Sequence, residues 1–368
     1  MRTLYKNCKI ISKGRVFEGS LLVSDGFIER IFQSPGEDAA ADKTVDLKGN
    51  YLAPGFIDTH IHGLGAGGNI LHDLLEMSIK LRSQGVIAFA PTIYTGKLDD
   101  MLFTLNKLSR IVGTEKGAKI LGFHLEGPFI SPLKHGAMRP RDIQPVSIES
   151  AQKLYDAARG HIAAMTCAPE LDGIAGLAKF AQKHNFILQA GHTNATYEEM
   201  LKAAKLGIRH STHVFNAMNA LHHRAPGTPG AILTEDCFTA EIIADKVHLH
   251  PALLKMILKL KGPGNIVLVT DSINPAAKKE GMANGEAVRM EKGVFRRNTD
   301  GVIAGSALTM LKGIKNLVRL GYPLAFASMA ASDNPAALYN LNFGVIEEGW
   351  AAQFAVLDEK LNLKHVIL

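Results

Sequence analysis

The chain has 368 residues, 46% of them hydrophobic and 21% charged, enough to bury a large core, which excludes both a disordered tail and a disulfide-stapled mini-protein. Lys and Arg number 41 against 35 Asp and Glu, but the surplus is spread along the chain in nothing longer than doublets such as Arg296-Arg297, so nucleic acid is not an expected partner. The three cysteines, Cys8, Cys167 and Cys237, show no CxxC spacing; this argues against a disulfide framework or a cysteine zinc site and fits a reducing, cytoplasmic setting.

The opening MRTLYKNCKIISKGRVFEG lacks the apolar segment of a signal peptide, and no 18 apolar residues run together, so neither secretion nor membrane spanning is expected. Residues 4–11, 20–23 and 27–32 alternate apolar and polar between the turn pairs Lys13-Gly14 and Asp25-Gly26, the pattern of short antiparallel strands. Residues 352–357 and 363–368 read the same way, which predicts that the two ends pair into one small β-sandwich domain, residues 1–52 with 345–368.

Between them, over 53–344, short apolar runs alternate with helical patterns. Strands are predicted at 56–60, 86–92, 120–125, 163–168, 186–190, 209–213, 239–244 and 266–270, and helices at 73–83, 98–112, 148–158, 172–184, 197–206 and 251–260. Eight strand-helix units over about 250 residues are the sequence form of a (β/α)8 TIM-type barrel, whose chemistry sits at the C-terminal strand ends. A doubly wound sheet shares the alternation.

The polar residues favour the barrel. The first strand runs into Asp58-Thr59-His60-Ile61-His62, the third into His124-Leu125-Glu126, the fifth into Gly191-His192, the sixth into Thr212-His213 and the eighth into Thr270-Asp271-Ser272. Closing the sheet gathers these ends around one mouth. His60 and His62 share a face because strand side chains repeat every two residues, and a catalytic metal site takes about three His, Asp or Glu ligands and keeps a position for water. A single histidine at a strand end is usually structural; five polar strand ends together point to a metal. His72, His161, His184 and His365 lie away from those ends and are expected to be structural, as is His210.

Seven segments then carry a resemblance: APGFIDTHIHG at 53–63, GFHLEGPFISP at 122–132, AGHTNAT at 190–196, STHVFNAMNALHHRAPG at 211–227, IIADKVHLHP at 242–251, LVTDS at 268–272 and IAGSALTM at 303–310. The sequence resembles the amidohydrolase superfamily and, within it, the N-acetylglucosamine-6-phosphate deacetylases. HLEGPF and THxFNAM followed by HHR are specific to that branch, whereas the HxH and the last Asp are shared across the superfamily. The resemblance implies a metal-dependent hydrolase releasing acetate from a phosphorylated N-acetyl-hexosamine, with zinc ahead of iron or manganese and one or two ions per subunit. Glu126, His192 and His213 match metal ligands, with His60 and His62 available for a second ion bridged by Glu126. Asp271 matches the catalytic acid-base. Asn216, Ala217 and Arg224 match substrate contacts, Arg224 at the phosphate; Ala137, Met138, Ile303, Ala304 and Gly305 fall in further substrate-contacting stretches. His248 matches a histidine that reaches the neighbouring subunit's substrate, which implies a homodimer. Members often carry His or Gln twelve residues after the metal-binding Glu, where it polarises the amide carbonyl; that position here is Met138, with His135 three residues earlier. The alternatives are the N-acetylgalactosamine 6-phosphate epimer, a cyclic-amide hydrolase, against which the missing lysine in 163–168 counts, and a non-catalytic sugar-phosphate binder, against which Asp271 counts.

Overall fold

The structure, a computed structural model, describes residues 1–34, 39–63, 70–273 and 279–367. Strands β1 (Arg2–Ser12), β2 (Arg15–Ser24) and β3 (Phe27–Phe32) form an antiparallel meander. Its two connections are the expected turn pairs, with φ of 47° and 76° at Lys13-Gly14 and 50° and 82° at Asp25-Gly26, the doubly positive geometry that matches the twist of a tight hairpin. β4 (Lys43–Asp46) and β5 (Tyr51–Pro54) run parallel to the first and second halves of β1.

The parallel strands follow, alternating with helices: β6 (Phe56–Ile61), α1 (Ile70–Ser83), β7 (Val86–Tyr94), α2 (Leu98–Leu108), the short β8 (Lys119–Ile120), β9 (Phe123–Glu126), α3 (Ile148–Ala157), β10 (Ile162–Cys167) and α4 (Ile174–His184). The series continues with β11 (Ile187–Ala190), α5 (Tyr197–Lys205), β12 (His210–Ser211), α6 (Gly227–Thr234), β13 (Ala240–Ile243), α7 (Pro251–Leu260) and β14 (Ile266–Val269). β6, β7, β9, β10, β11 and β12 lie side by side in one parallel sheet, and β13 and β14 make a second parallel pair. Single bridges join His210 to Thr239 and Ile61 to Ser272. This is a TIM-type α/β architecture. β7 reads VIAFAPTIY and is buried along almost its whole length, as a strand covered on both faces must be. On α2 the buried Met101, Leu105 and Leu108 fall four and three residues apart, one stripe facing the sheet. These side chains join Phe56, Phe89, Phe123 and Leu268 in the main apolar core.

Beyond β14 come an antiparallel sheet of β15 (Glu280–Ala283), β16 (Glu286–Glu291), β17 (Val294–Arg297) and β18 (Ile303–Ser306), then α8 (Met310–Arg319), α9 (Leu324–Ala331) and α10 (Asp333–Leu338). Finally β19 (Phe354–Leu357) pairs antiparallel with β5, Val356 opposite Leu52, and β20 (Leu363–Ile367) pairs with β19. Strands from both ends of the chain therefore share one sheet, ordered β20-β19-β5-β1-β2-β3. Leu368 of the predicted last strand lies outside the described residues.

Three local expectations are corrected. The strand expected at 120–125 is broken by Gly122 at φ 123° into β8 and β9. The one expected at 209–213 stops at Ser211, because the chain turns at His213 with φ 27°. The alternation does not predict the β15–β18 sheet: in β15 and β16 Ala283 and Val288 alone are buried, so the pattern that opens it is weak. Among the described residues no helix is long and apolar enough to cross a membrane.

Candidate metal centre and substrate cavity

The polar strand ends converge. β6 presents His60 and β9 presents Glu126, while His62, His192, His213 and Asp271 lie just past the ends of β6, β11, β12 and β14. The last three have positive φ, 48°, 27° and 46°, a conformation that strains a non-glycine residue by about 1–2 kcal/mol and recurs where a side chain must be aimed. Glu126 is central: its Oε1 lies 3.0 Å from Nε2 of both His192 and His213, and its Oε2 lies 3.1 Å from His62 Nε2. Asp271 Oδ1 is 3.3 Å from His62 Nε2 and 3.6 Å from His60 Nε2. Two buried trios of donors result, Glu126 with His192 and His213, and His60 with His62 and Asp271. A tetrahedral ion with bonds of about 2.0–2.1 Å holds its ligands about 3.3 Å apart, so both trios have the spacing of a metal site.

Unmet bonding tests the fit. His60 Nε2, His62 Nε2 and Glu126 Oε2 are buried and find no hydrogen-bond partner among the described residues, an arrangement that costs about 1–3 kcal/mol per atom unless something fills it. Electrostatics agree. Burial alone would discharge His60, yet Glu241, Asp271 and Glu126 raise it to about 10; burial likewise opposes charge on His62, but Asp271 and Glu126 raise it. Burial pushes the Glu126 carboxyl up, but the imidazoles of His192, His213 and His62 hold it well below the usual carboxylate range. A pocket that draws protons onto its imidazoles has a demand for positive charge that a divalent cation meets.

A supporting layer fixes the rings. Glu241 on β13 faces His60 Nδ1 at 2.9 Å and accepts the His213 backbone N–H at 2.9 Å, and His192 Nδ1 lies 3.1 Å from the Lys134 carbonyl, the arrangement that sets tautomer and orientation in metal-binding histidines. His124 packs on the His60 ring, centroids 4.6 Å apart, outside the cavity lining and between Thr92 Oγ1 at 3.2 Å and Thr166 Oγ1 at 2.8 Å, and burial lowers its pKa. It is structural. His210 bonds to Thr239 Oγ1, His161 and His365 are exposed, and His184 packs on Tyr155 and Phe180; the side chain of His72 lies outside the described residues.

A cavity of about 240 Å³ opens over the donors, lined by His62, Glu126, His192, His213 and Asp271. Its walls include eight of the residues singled out in the sequence: Ala137, Met138, Asn216, Ala217, His248, Ile303, Ala304 and Gly305. His60 sits beneath, fully buried. Arg224 is not brought to this cavity; it is exposed, with Nη1 2.7 Å from His223 Nε2. His248 lines its own chain's cavity, tied to Asp245 through Nδ1 at 2.6 Å. His135 is not among the lining residues, and its Nδ1 lies 3.0 Å from the Met138 carbonyl. Tyr94 and Glu241 escaped the sequence reading. Glu241 left a signal, a carboxylate interrupting an otherwise apolar strand.

Comparison with known proteins accords with this geometry. The sequence model of the amidohydrolase family matches residues 51–368. The chain is 33% identical over 325 residues to the N-acetylglucosamine-6-phosphate deacetylase of Bacillus subtilis, covering 85% of this chain and 82% of that protein. It is 30% identical over 367 residues to the N-acetylgalactosamine-6-phosphate deacetylase of Escherichia coli O157:H7, covering 97% and 95%. The N-acetylglucosamine-6-phosphate deacetylase structure from Thermotoga maritima superposes with a TM-score of 0.88 at 33% identity, covering 99% of this chain and 97% of that one. That from Mycobacterium smegmatis, in complex with N-acetyl-D-glucosamine-6-phosphate, gives 0.90 at 28% identity, covering 100% and 97%. On these matches, the chain belongs to the amidohydrolase family of hydrolytic enzymes.

Proposed function

We propose that the protein hydrolyses the acetamide of N-acetyl-D-glucosamine 6-phosphate to glucosamine 6-phosphate and acetate, a step of amino-sugar catabolism. The observation that carries this reading is the pair of donor trios joined by Glu126, opening into a cavity whose walls hold the residues matched to substrate contacts. One divalent ion would be held by Glu126, His192 and His213, and a second by His60, His62 and Asp271 with Glu126 between them; zinc suits this nitrogen and oxygen set, as do iron and manganese. Such an ion supplies Lewis-acid polarisation of the amide carbonyl and acidifies water. Asp271 accepts the proton of the attacking water and passes it to the departing nitrogen, since amide cleavage fails unless the amine leaves protonated. Asn216, Ala217, His248 and the 303–305 backbone orient the sugar, and Arg224 of a second copy of the chain takes the phosphate through its fork of donors.

The same reading covers the fold and the assembly. Eight parallel strands close as a (β/α)8 barrel over 53–344, supported by the bridges from His210 to Thr239 and from Ile61 to Ser272, which link the seven-stranded sheet, β8 included, to the β13–β14 pair at both edges. Residues 1–52 and 345–368 form a small sandwich, supported by the bulge in β1 where its partner changes from β4 to β5 and by the apolar cluster of Cys8, Ile10, Leu21, Leu52, Phe354 and Val356. A homodimer is supported by the exposed Arg224, which its own cavity does not use. Three free cysteines support a cytoplasmic setting.

A second reading, the galactosamine epimer, is favoured by the similarity to the Escherichia coli enzyme over nearly the whole chain. Metal analysis coupled to acetate release from both hexosamine phosphates decides. Chelation is expected to abolish release and zinc, iron or manganese to restore it; full turnover by a verified metal-free sample overturns the metal-dependent mechanism.

A further inference from the structure

Met138, buried in the cavity wall, carries a thioether side chain with no N–H or O–H to offer a carbonyl oxygen, and His135, with Nδ1 3.0 Å from the Met138 carbonyl, is not part of the lining. A hydroxyl nevertheless stands over the same floor. Tyr94 is the last residue of β7, directly beside Glu126 in the β7–β9 register. Its ring stacks on the His62 imidazole, centroids 3.6 Å apart and planes within 4°, so the direction of its Oη is held by packing. Among the described residues that hydroxyl makes one long contact, 3.4 Å to the Ala304 carbonyl, itself part of the lining. The side-chain amide of the lining, Asn216 Nδ2, is shared between the carbonyls of His213 and Val214 at 3.3 Å each.

We propose that Tyr94 Oη donates a hydrogen bond to the acyl oxygen of the substrate as it becomes an oxyanion, the task for which position 138 has no donor here. The assignment rests on the deacetylase reading above. A donor fixed by the rigid stack, at the end of a central strand, needs no reorganisation as charge develops, which is what makes such groups effective. The hydroxyl gives up its weak contact with Ala304 and keeps its own proton throughout; it polarises, and no bond to it forms or breaks.

Tyr94→Phe keeps the ring and its stack and removes only the donor. Measured on the metal-loaded enzyme, kcat should fall on the order of 10²-fold with KM within about threefold. Binding gives the second readout. By calorimetry, the affinity for a mimic whose tetrahedral methylphosphonamidate replaces the acetamide should fall by the same factor as kcat/KM, while the affinity for glucosamine 6-phosphate and the metal content stay unchanged. Adding Met138→Gln to Tyr94→Phe should recover about tenfold, because an amide N–H then reaches the oxygen from the other wall. A kcat within threefold of the unmodified protein, or unaltered mimic affinity, overturns the role of Tyr94 and leaves the deacetylase reading standing. If the unmodified protein neither releases acetate nor binds the mimic, the deacetylase reading fails and the assignment falls with it.

Discussion

Asp271 Oδ1 lies 3.3 and 3.6 Å from His62 and His60 Nε2, the residue lines the cavity, and it belongs to only one of the two donor trios, so removing its charge separates binding of the ion at the other trio from turnover. Asp271→Asn should keep the ion at Glu126, His192 and His213, measured by elemental analysis, and lose about 10²-fold or more in acetate release. His60→Gln should lower the metal content by one ion per chain while leaving the Asp271 carboxylate in place, because His60 Nε2 belongs only to the trio with His62 and Asp271. Far from the site, Asp333 accepts the Lys13 backbone N–H at 3.2 Å while burial raises its pKa to about 6. The folded state then holds a proton that the unfolded chain, at about 3.9, has released. Its contribution therefore favours folding below about pH 4 and is lost as the pH climbs through 6. Asp333→Asn should stabilise the protein by on the order of 2 kcal/mol at pH 7.5, with the gain gone near pH 4, read from paired urea midpoints. The metal-type residues were legible because strand ends in an α/β repeat converge, so position alone gave His60, His62, Glu126, His192, His213 and Asp271 a common destination. Tyr94 was not, since the strand was read as ending at Thr92 and a tyrosine closing an apolar run looks like core.

At the scale of elements, alternation was readable wherever an apolar run faced an amphipathic helix, and it failed where burial is sparse or uniform. The turn pairs Asn284-Gly285, Lys292-Gly293 and Asp300-Gly301 mark the hairpins of β15–β18, a stronger signal there than hydrophobicity. α9, LAFASMAA, is apolar on all sides and shows no stripe, and α6 carries Gly and Pro in a wholly apolar setting, so neither has a helical period to read. Strand-end precision depends on small residues. A Cβ on Gly191 would lie 2.6 Å from Thr212 Cβ and 2.9 Å from Thr166 Cγ2, whose hydroxyls bond to each other at 2.8 Å. Gly191→Ala should cost about 1–3 kcal/mol by overpacking and, by shifting the adjacent His192, weaken metal affinity in a chelator competition.

Across the whole molecule, the proposed dimer would use Arg224 and His248 differently, since Arg224 is exposed and outside its own cavity's lining whereas His248 is part of it. Mixing Asp271→Asn chains with Arg224→Ala chains should restore acetate release as subunits exchange, because a mixed dimer holds one intact Asp271 site served by its neighbour's Arg224. Mixing with His248→Ala should restore nothing, since His248 lines its own cavity; the reverse pattern would exchange the two roles. The shared sheet has a consequence in time rather than in space. Leu52 waits for Val356, so a ribosome adding about 5–20 residues per second makes β5 stand with one edge bare for roughly 15–60 seconds after it emerges. During that interval the nascent chain carries an open, apolar strand edge beside a barrel that is assembling from local units, and a bare edge is a template for wrong pairing. Synthesis speed and chaperone occupancy should therefore govern the yield of this protein more than the stability of its finished core.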